Sequence, residues 1–293
     1  MSENPSTYKP HGKGKEILDR GMEHIKSVPY KVSLRWLFYR LLQDGYFHDK
    51  GKDYKGIFTP LCSKARKGFY GEWRPDILAD DTRDRIERTG FFQDDDDIKS
   101  RLADYVTDSL EITFDHFYEM DEFIIIAFEA RAMVNQFMYY TSGIDLLPFG
   151  GDASIPFKWE IAKHLEDCNK WYGGIPLRIL YFGDCDNKGG KIFEAAQKDI
   201  SRWCKHTVQF DWCGLTKEQV DRFNIPENPE KPGEYQWEAL TDSQAEKIIL
   251  EAMANFDVDL DLITAKVEQG KMATKEWREK IRKVITPLVK VGS

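Results

Sequence analysis

No stretch of this chain approaches the roughly 18 consecutive apolar residues that a membrane-spanning helix needs. The longest apolar run, Phe123 to Phe128, is only the length of a strand. The opening residues, MSENPSTYKPHGKGK, contain no apolar h-region, so no secretory leader is expected. Cysteine is sparse: five residues at positions 62, 168, 185, 204 and 213, odd in number and without a CxxC pair. That excludes a disulfide framework, argues against zinc, and points to reduced thiols in a cytoplasmic protein. Internal repeats are also lacking, and so is any overall excess of positive charge, since the net charge is −8.

What the sequence does contain is enough apolar material for a real core. Hydrophobic residues make up 41% and aromatics 13% of 293 residues, room for two ordinary domains. The charge is unevenly spread. Residues 1–75 hold 15 Lys+Arg against 8 Asp+Glu, a net of +7, while the remainder holds 27 against 42, a net of −15. Such asymmetry suggests that the front of the chain meets a polyanion. A merely solvated basic surface is the plainer alternative.

Residues 1–12 lack periodicity and read as a flexible arm. A helix is expected from about Lys15 to Ser27, ended by Pro29. Ser33 is placed to cap a second helix, SLRWLFYRLLQDG, closed by Gly45, with Leu34, Leu37, Phe38, Leu41 and Leu42 on its buried face. A third, from about Asp53 to Lys67, turns Lys55, Lys64, Arg66 and Lys67 outward. Three helices ending on a basic one suggest a helix-turn-helix or winged-helix module, with FYGEWRPDILADDTR as a wing-like extension. The run Gln93–Asp97 reads as a loop ahead of a helix at 98–109.

From Glu122 strands alternate with helices: strands at 122–128, 145–149, 177–182 and 207–212, helices at 130–140, 155–168 and 190–204. This is the pattern of βαβ units on a mostly parallel sheet. The stretch NIPENPEKPGEYQ reads as a loop, and a helical C-terminal extension follows. The expected organisation is α/β: an N-terminal winged-helix domain at 13–115, a mostly parallel α/β domain at 116–240, and helices at 241–293.

In open α/β sheets, function gathers beyond the carboxyl ends of the strands. Two of those ends are acidic here. Glu129 follows FIIIAF, and YFGDCDNKGG sets Asp184 and Asp186 two residues apart in a glycine-rich loop. Three carboxylates at one sheet edge repel one another unless a hard cation lies between them, and Mg²⁺ (with Mn²⁺ as a substitute) suits such oxygen ligands. Alternatively, the two aspartates simply cap the following helix. A haloacid-dehalogenase-like reading of DCDNKGG is disfavoured, because the strand comes late and no convincing acidic pair follows it.

The Glu-then-DxD arrangement resembles the Toprim domain of topoisomerases and primases, a likeness that implies Glu129, Asp184 and Asp186 as metal ligands. In the basic part, SLRWLFYR resembles the Arg-x-x-aromatic-Tyr motif of topoisomerase VI A subunits and related meiotic break-making proteins. Residue by residue, this implies Arg35 as the motif arginine and Tyr39 as the nucleophile. KARKGFYGEWRPDILADDTR, PFGGDASIPFKWEIAKHLE and GLTKEQVDRFNIPENPEKPGEYQWEAL are similar to segments of the small stand-alone "mini-A" relatives of viruses and plasmids. The likeness covers roughly residues 30–245. Asn187 stands where the family usually has proline, and Glu129 is followed by Ala-Arg instead of the commoner lysine.

The resemblance implies Mg²⁺-dependent cleavage of double-stranded DNA by tyrosine transesterification, in a homodimer whose active sites are shared between subunits. Lys55, Lys64, Arg66 and Lys67 would contact phosphates. An ATPase B-type subunit, not encoded here, would be a partner, and the protein would be nucleoid-associated in a prokaryotic or viral host. A hydrolytic Toprim nuclease and a non-catalytic DNA-binding protein are the alternatives.

Overall fold

The computed structural model describes residues 8–79 and 93–290, with the side chains of 289 and 290 left aside. Along the chain run helices α1 (Gly12–Lys26), α2 (Leu34–Gln43), α3 (Lys50–Asp53), a π-turn (Tyr54–Phe58), α4 (Thr59–Lys67) and α5 (Asp95–Asp108). Then come β1 (Phe123–Phe128), α6 (Val134–Tyr140), β2 (Asp145–Pro148), α7 (Ile155–Trp171), β3 (Leu177–Phe182), α8 (Asn187–Trp203) and β4 (Val208–Gly214). Helices α9 (Lys217–Phe223), α10 (Asp242–Asn255) and α11 (Leu260–Lys290) complete it. None of the described helices is long and apolar enough to cross a membrane.

The four strands form one parallel sheet in the order β2-β1-β3-β4, as the alternating pattern requires. All six residues of β1 are buried, because the strand is flanked on both edges. Buried on both faces too, it reads in sequence as a continuous apolar run. The chain passes from β1 out to β2, then crosses back to β3 on the other side of β1. The carboxyl ends of β1 and β3 therefore flank a topological switch point, where a crevice opens in such sheets.

Ahead of the sheet, α1, α2 and α4 enclose a core of Ile17, Leu18, Leu37, Phe38, Leu41, Phe58, Cys62 and Trp73. Ser33 caps α2 by accepting from the Trp36 N–H at 3.2 Å, and Gly45 leaves the helix with φ +82. The expected third helix is broken by the π-turn between α3 and α4. Among the described residues no wing hairpin follows α4; there is a single parallel bridge, Ser33 to Ala79. Residues 80–83 of the wing-like segment, and 1–7 of the arm, lie outside the described residues.

The chain divides differently from the expected 13–115, 116–240 and 241–293. One compact unit is Met1–Arg83 with Asp121–Asp257, and the other is Asp84–Met120 with Val258–Ser293. The front helices thus share a unit with the sheet, because α2 is bonded to the segment that follows α9. In the second unit, Arg278 donates to the Leu110 and Asp108 carbonyls at 3.1 and 2.8 Å, joining α11 to the end of α5. The acidic run is also corrected: α5 begins at Asp95, with Asp94 accepting from the Asp97 N–H at 2.9 Å. Acidic side chains are favourable there because a helix N-terminus carries partial positive charge.

Candidate functional site

Register brings the sequence-predicted carboxylates together. Phe128 pairs with Phe182, so the next residues, Glu129 and Gly183-Asp184, emerge side by side at the switch point. The Glu129 N–H donates to the Phe182 carbonyl at 3.0 Å. Each carboxylate has one oxygen held by a backbone donor. Glu129 Oε2 accepts from Asp184 N at 3.3 Å, Asp184 Oδ1 from Trp237 N at 2.9 Å, and Asp186 Oδ1 from Gly189 N at 2.6 Å. Asp186 is therefore the N-cap of α8, whereas Asp184 is held by Trp237, so the capping alternative applies to one of the two aspartates only. Lys188 lies 3.6 Å from Glu129.

The loop tolerates no bulk here. A Cβ at Gly189 would come within 2.5 Å of the Asp184 carbonyl oxygen and 3.3 Å of Glu129 Oε2. Gly189→Ala is accordingly expected to cost about 1–3 kcal/mol, the usual range for overpacking. A fall in the urea midpoint at unchanged slope would register it, and an unchanged midpoint would mean that the loop relaxes freely.

Arg35 and Tyr39 approach this crevice from α2. Tyr39 is 4% exposed, and its hydroxyl donates to Gln236 Oε1 at 2.7 Å. Lys50 donates to the same oxygen and sits 4.7 Å above the Tyr39 ring. Arg35 Nε lies 3.7 Å from Glu238 Oε1, and Arg40, buried, donates to the Glu238 and Leu240 carbonyls. The strap from Tyr235 to Leu240 makes these links. Its Tyr235 bridges Cys185 inside the DxD loop, and Trp237 holds Asp184. Three successive residues thus touch the tyrosine hydroxyl (Gln236), the aspartate carboxylate (Trp237) and the arginine (Glu238).

The electrostatics follow from this crowding. Burial, then the Glu238 and Glu129 carboxylates, push the Asp184 carboxyl well above the usual range. Burial also raises Glu129, and the Asp184 N–H and Lys188 offset it only in part. Burial and Glu238 raise the Tyr39 phenol above its ordinary value, while Arg35 draws it back. Buried like charges with few counter-cations favour a bound cation. The all-oxygen donor set fits a hard divalent ion. The side chains as they stand are not drawn into a chelate: among the described residues, no three His, Cys, Asp or Glu side chains are gathered closely enough to be recognised as a metal group.

The basic residues separate. Arg66 lines a cleft of about 620 Å³ beside Arg35, Glu129 and Glu238. Lys64 lines a different one of about 480 Å³, beside Tyr8 and Lys13. Lys55 and Lys67 are exposed and line neither cleft. Sequence reasoning missed Gln236, Glu238 and Lys50. An acidic residue in the otherwise apolar stretch WEAL was the available signal for Glu238.

Comparison with protein-family models, with curated proteins and with solved structures gives no match.

Proposed function

We propose that the protein cleaves DNA by tyrosine transesterification, with Tyr39 as nucleophile and a divalent cation held by Glu129, Asp184 and Asp186. The observation that carries this reading is the strap: residues 236–238 link the Tyr39 hydroxyl and Arg35 to Asp184 within one chain. In this reading the front helices act as a winged-helix module and the α/β core as a Toprim domain. The Tyr39 oxygen bonds to phosphorus, the bond to the 3′ oxygen breaks, and the protein is left joined to the 5′ phosphate. Arg35 stabilises negative charge on the phenolate and the phosphate, since a guanidinium pairs well with such oxygens. A bound Mg²⁺ or Mn²⁺ would supply further stabilisation of charge on the phosphate and the leaving oxygen. Cutting both strands takes two copies of Tyr39, hence a homodimer on DNA, and resealing could be coupled to an ATPase B-type subunit.

A second reading, hydrolysis with water as nucleophile, is favoured by one observation. The Tyr39 hydroxyl is already engaged by Gln236, and its phenol is pushed away from ionisation. Supercoiled plasmid incubated with the protein and Mg²⁺, stopped with detergent and split into protease-treated and untreated halves, separates the two. Breaks whose DNA enters the gel only after protease treatment support transesterification. Breaks with free ends support hydrolysis, and intact plasmid with either Mg²⁺ or Mn²⁺ counts against both.

A further inference from the structure

The 620 Å³ cleft joins Arg35 and Glu129 to residues that the cleavage chemistry does not use. Ser33, Leu34 and Arg35 bring the first turn of α2 to its wall, and that turn contains no acidic residue. Arg66 reaches it from α4, and Arg131 from the turn after β1. Neither arginine makes an ion pair among the described residues, and the Arg66 Nε is a buried donor with no acceptor. A buried donor left unpaired is costly, and Arg66 as a whole is only half-buried and lines the cleft, so an acceptor there that meets the rest of its guanidinium would offset part of that cost. Gly150 and Gly151, at φ +68 and +99, also line it. So do Glu129, Glu238 and Lys188.

We propose that this cleft seats the sugar-phosphate backbone of duplex DNA beside the scissile bond, with Arg66 and Arg131 as its phosphate contacts. The inference rests on the proposed reading that DNA is the substrate, and it deepens that reading by naming the surface. Of the other basic residues expected to meet phosphate, Lys64 lines another cleft and Lys55 and Lys67 are exposed, so none of the three lies at this one. A helix N-terminus with two guanidiniums that make no ion pair among the described residues makes an anion site beside the acidic crevice. A phosphate held there has cations on one side and the carboxylate cluster on the other, the placement that a bridging metal ion would use.

The test measures binding alone. Tyr39→Phe protein without divalent cation is titrated into a fluorescein-labelled 30-base-pair duplex at several salt concentrations, and anisotropy is read. Adding Arg66→Gln or Arg131→Gln is expected to weaken binding about tenfold at 0.1 M salt and to reduce the salt slope by about one per contact. Lys64→Gln and Lys67→Gln should stay within about twofold, because they leave the cleft's phosphate contacts intact. Thermal melts of all variants confirm that they fold. Lost affinity in the lysine variants with none lost in the arginine variants would overturn the proposal, while leaving the cleavage reading untouched. No binding by the Tyr39→Phe protein itself would overturn both.

Discussion

Tyr39→Phe should abolish protein-linked DNA breaks, lowering their rate by at least about a thousandfold, because it removes the proposed nucleophile. The fold should survive. The variant loses one hydrogen bond, to Gln236, worth about 0.5–1.5 kcal/mol. The ring keeps its edge contact with Phe38, at 6.2 Å between centroids, and its place under Lys50. Binding of DNA should be unaffected, since the cations of the cleft are intact. Tyr39→Phe protein that still cuts, leaving free ends, would transfer the reaction to water.

The second large effect is on stability. Asp184 carries a raised carboxyl, first from burial and then from Glu238 and Glu129. A carboxyl raised in the folded state holds its proton more tightly folded than unfolded. Its favourable contribution is therefore present at low pH and is lost as pH rises above the unfolded value near 4. Asp184→Asn removes this charge while its amide oxygen can still accept from Trp237 N. In EDTA at pH 8 the variant should be more stable than the parent, read as a higher melting temperature. At pH 4 the gain should shrink.

With millimolar Mg²⁺ the order should reverse. If the proposed site binds the ion, the parent gains about 2.7 kcal/mol at a hundredfold excess over its dissociation constant, and Asp184→Asn gains little. Melting curves in EDTA and in Mg²⁺ at the two pH values suffice to decide. An Asp184→Asn protein less stable than the parent in EDTA would make the carboxylate a structural anchor. A residue that lowers stability while completing a reactive site is a familiar trade-off between the two.

The sheet was readable in advance because its signals are local. Phe123–Phe128 is an unbroken apolar run, and the DxD loop announces itself by charge between a buried strand and paired glycines. Helix α2 was readable from Ser33, Gly45 and its apolar spacing. What lay hidden depends on contacts between distant segments. Tyr39 and Arg40 fall outside the apolar stripe of α2, and they are buried only because Gln236 to Leu240 fold over them. That strap has no periodicity and follows a proline-rich stretch, so it looked like a linker. The change of composition near Glu122 coincides with one unit boundary, at 120/121, but it gave no sign that the chain before 83 shares the sheet's unit. That pairing rests on contacts between segments far apart in sequence.

Because Arg40 donates its guanidinium to carbonyls some 200 residues away, α2 and the strap cannot be separated without exposing unsatisfied groups on both. Truncation, the usual route to mapping activity onto halves of a chain, would therefore mislead. A fragment carrying only the front helices would present Tyr39 to water with its neighbours gone. A fragment starting at the sheet would leave the strap carbonyls without their donor, so any loss of activity in either piece would report a broken seam, not a missing catalyst.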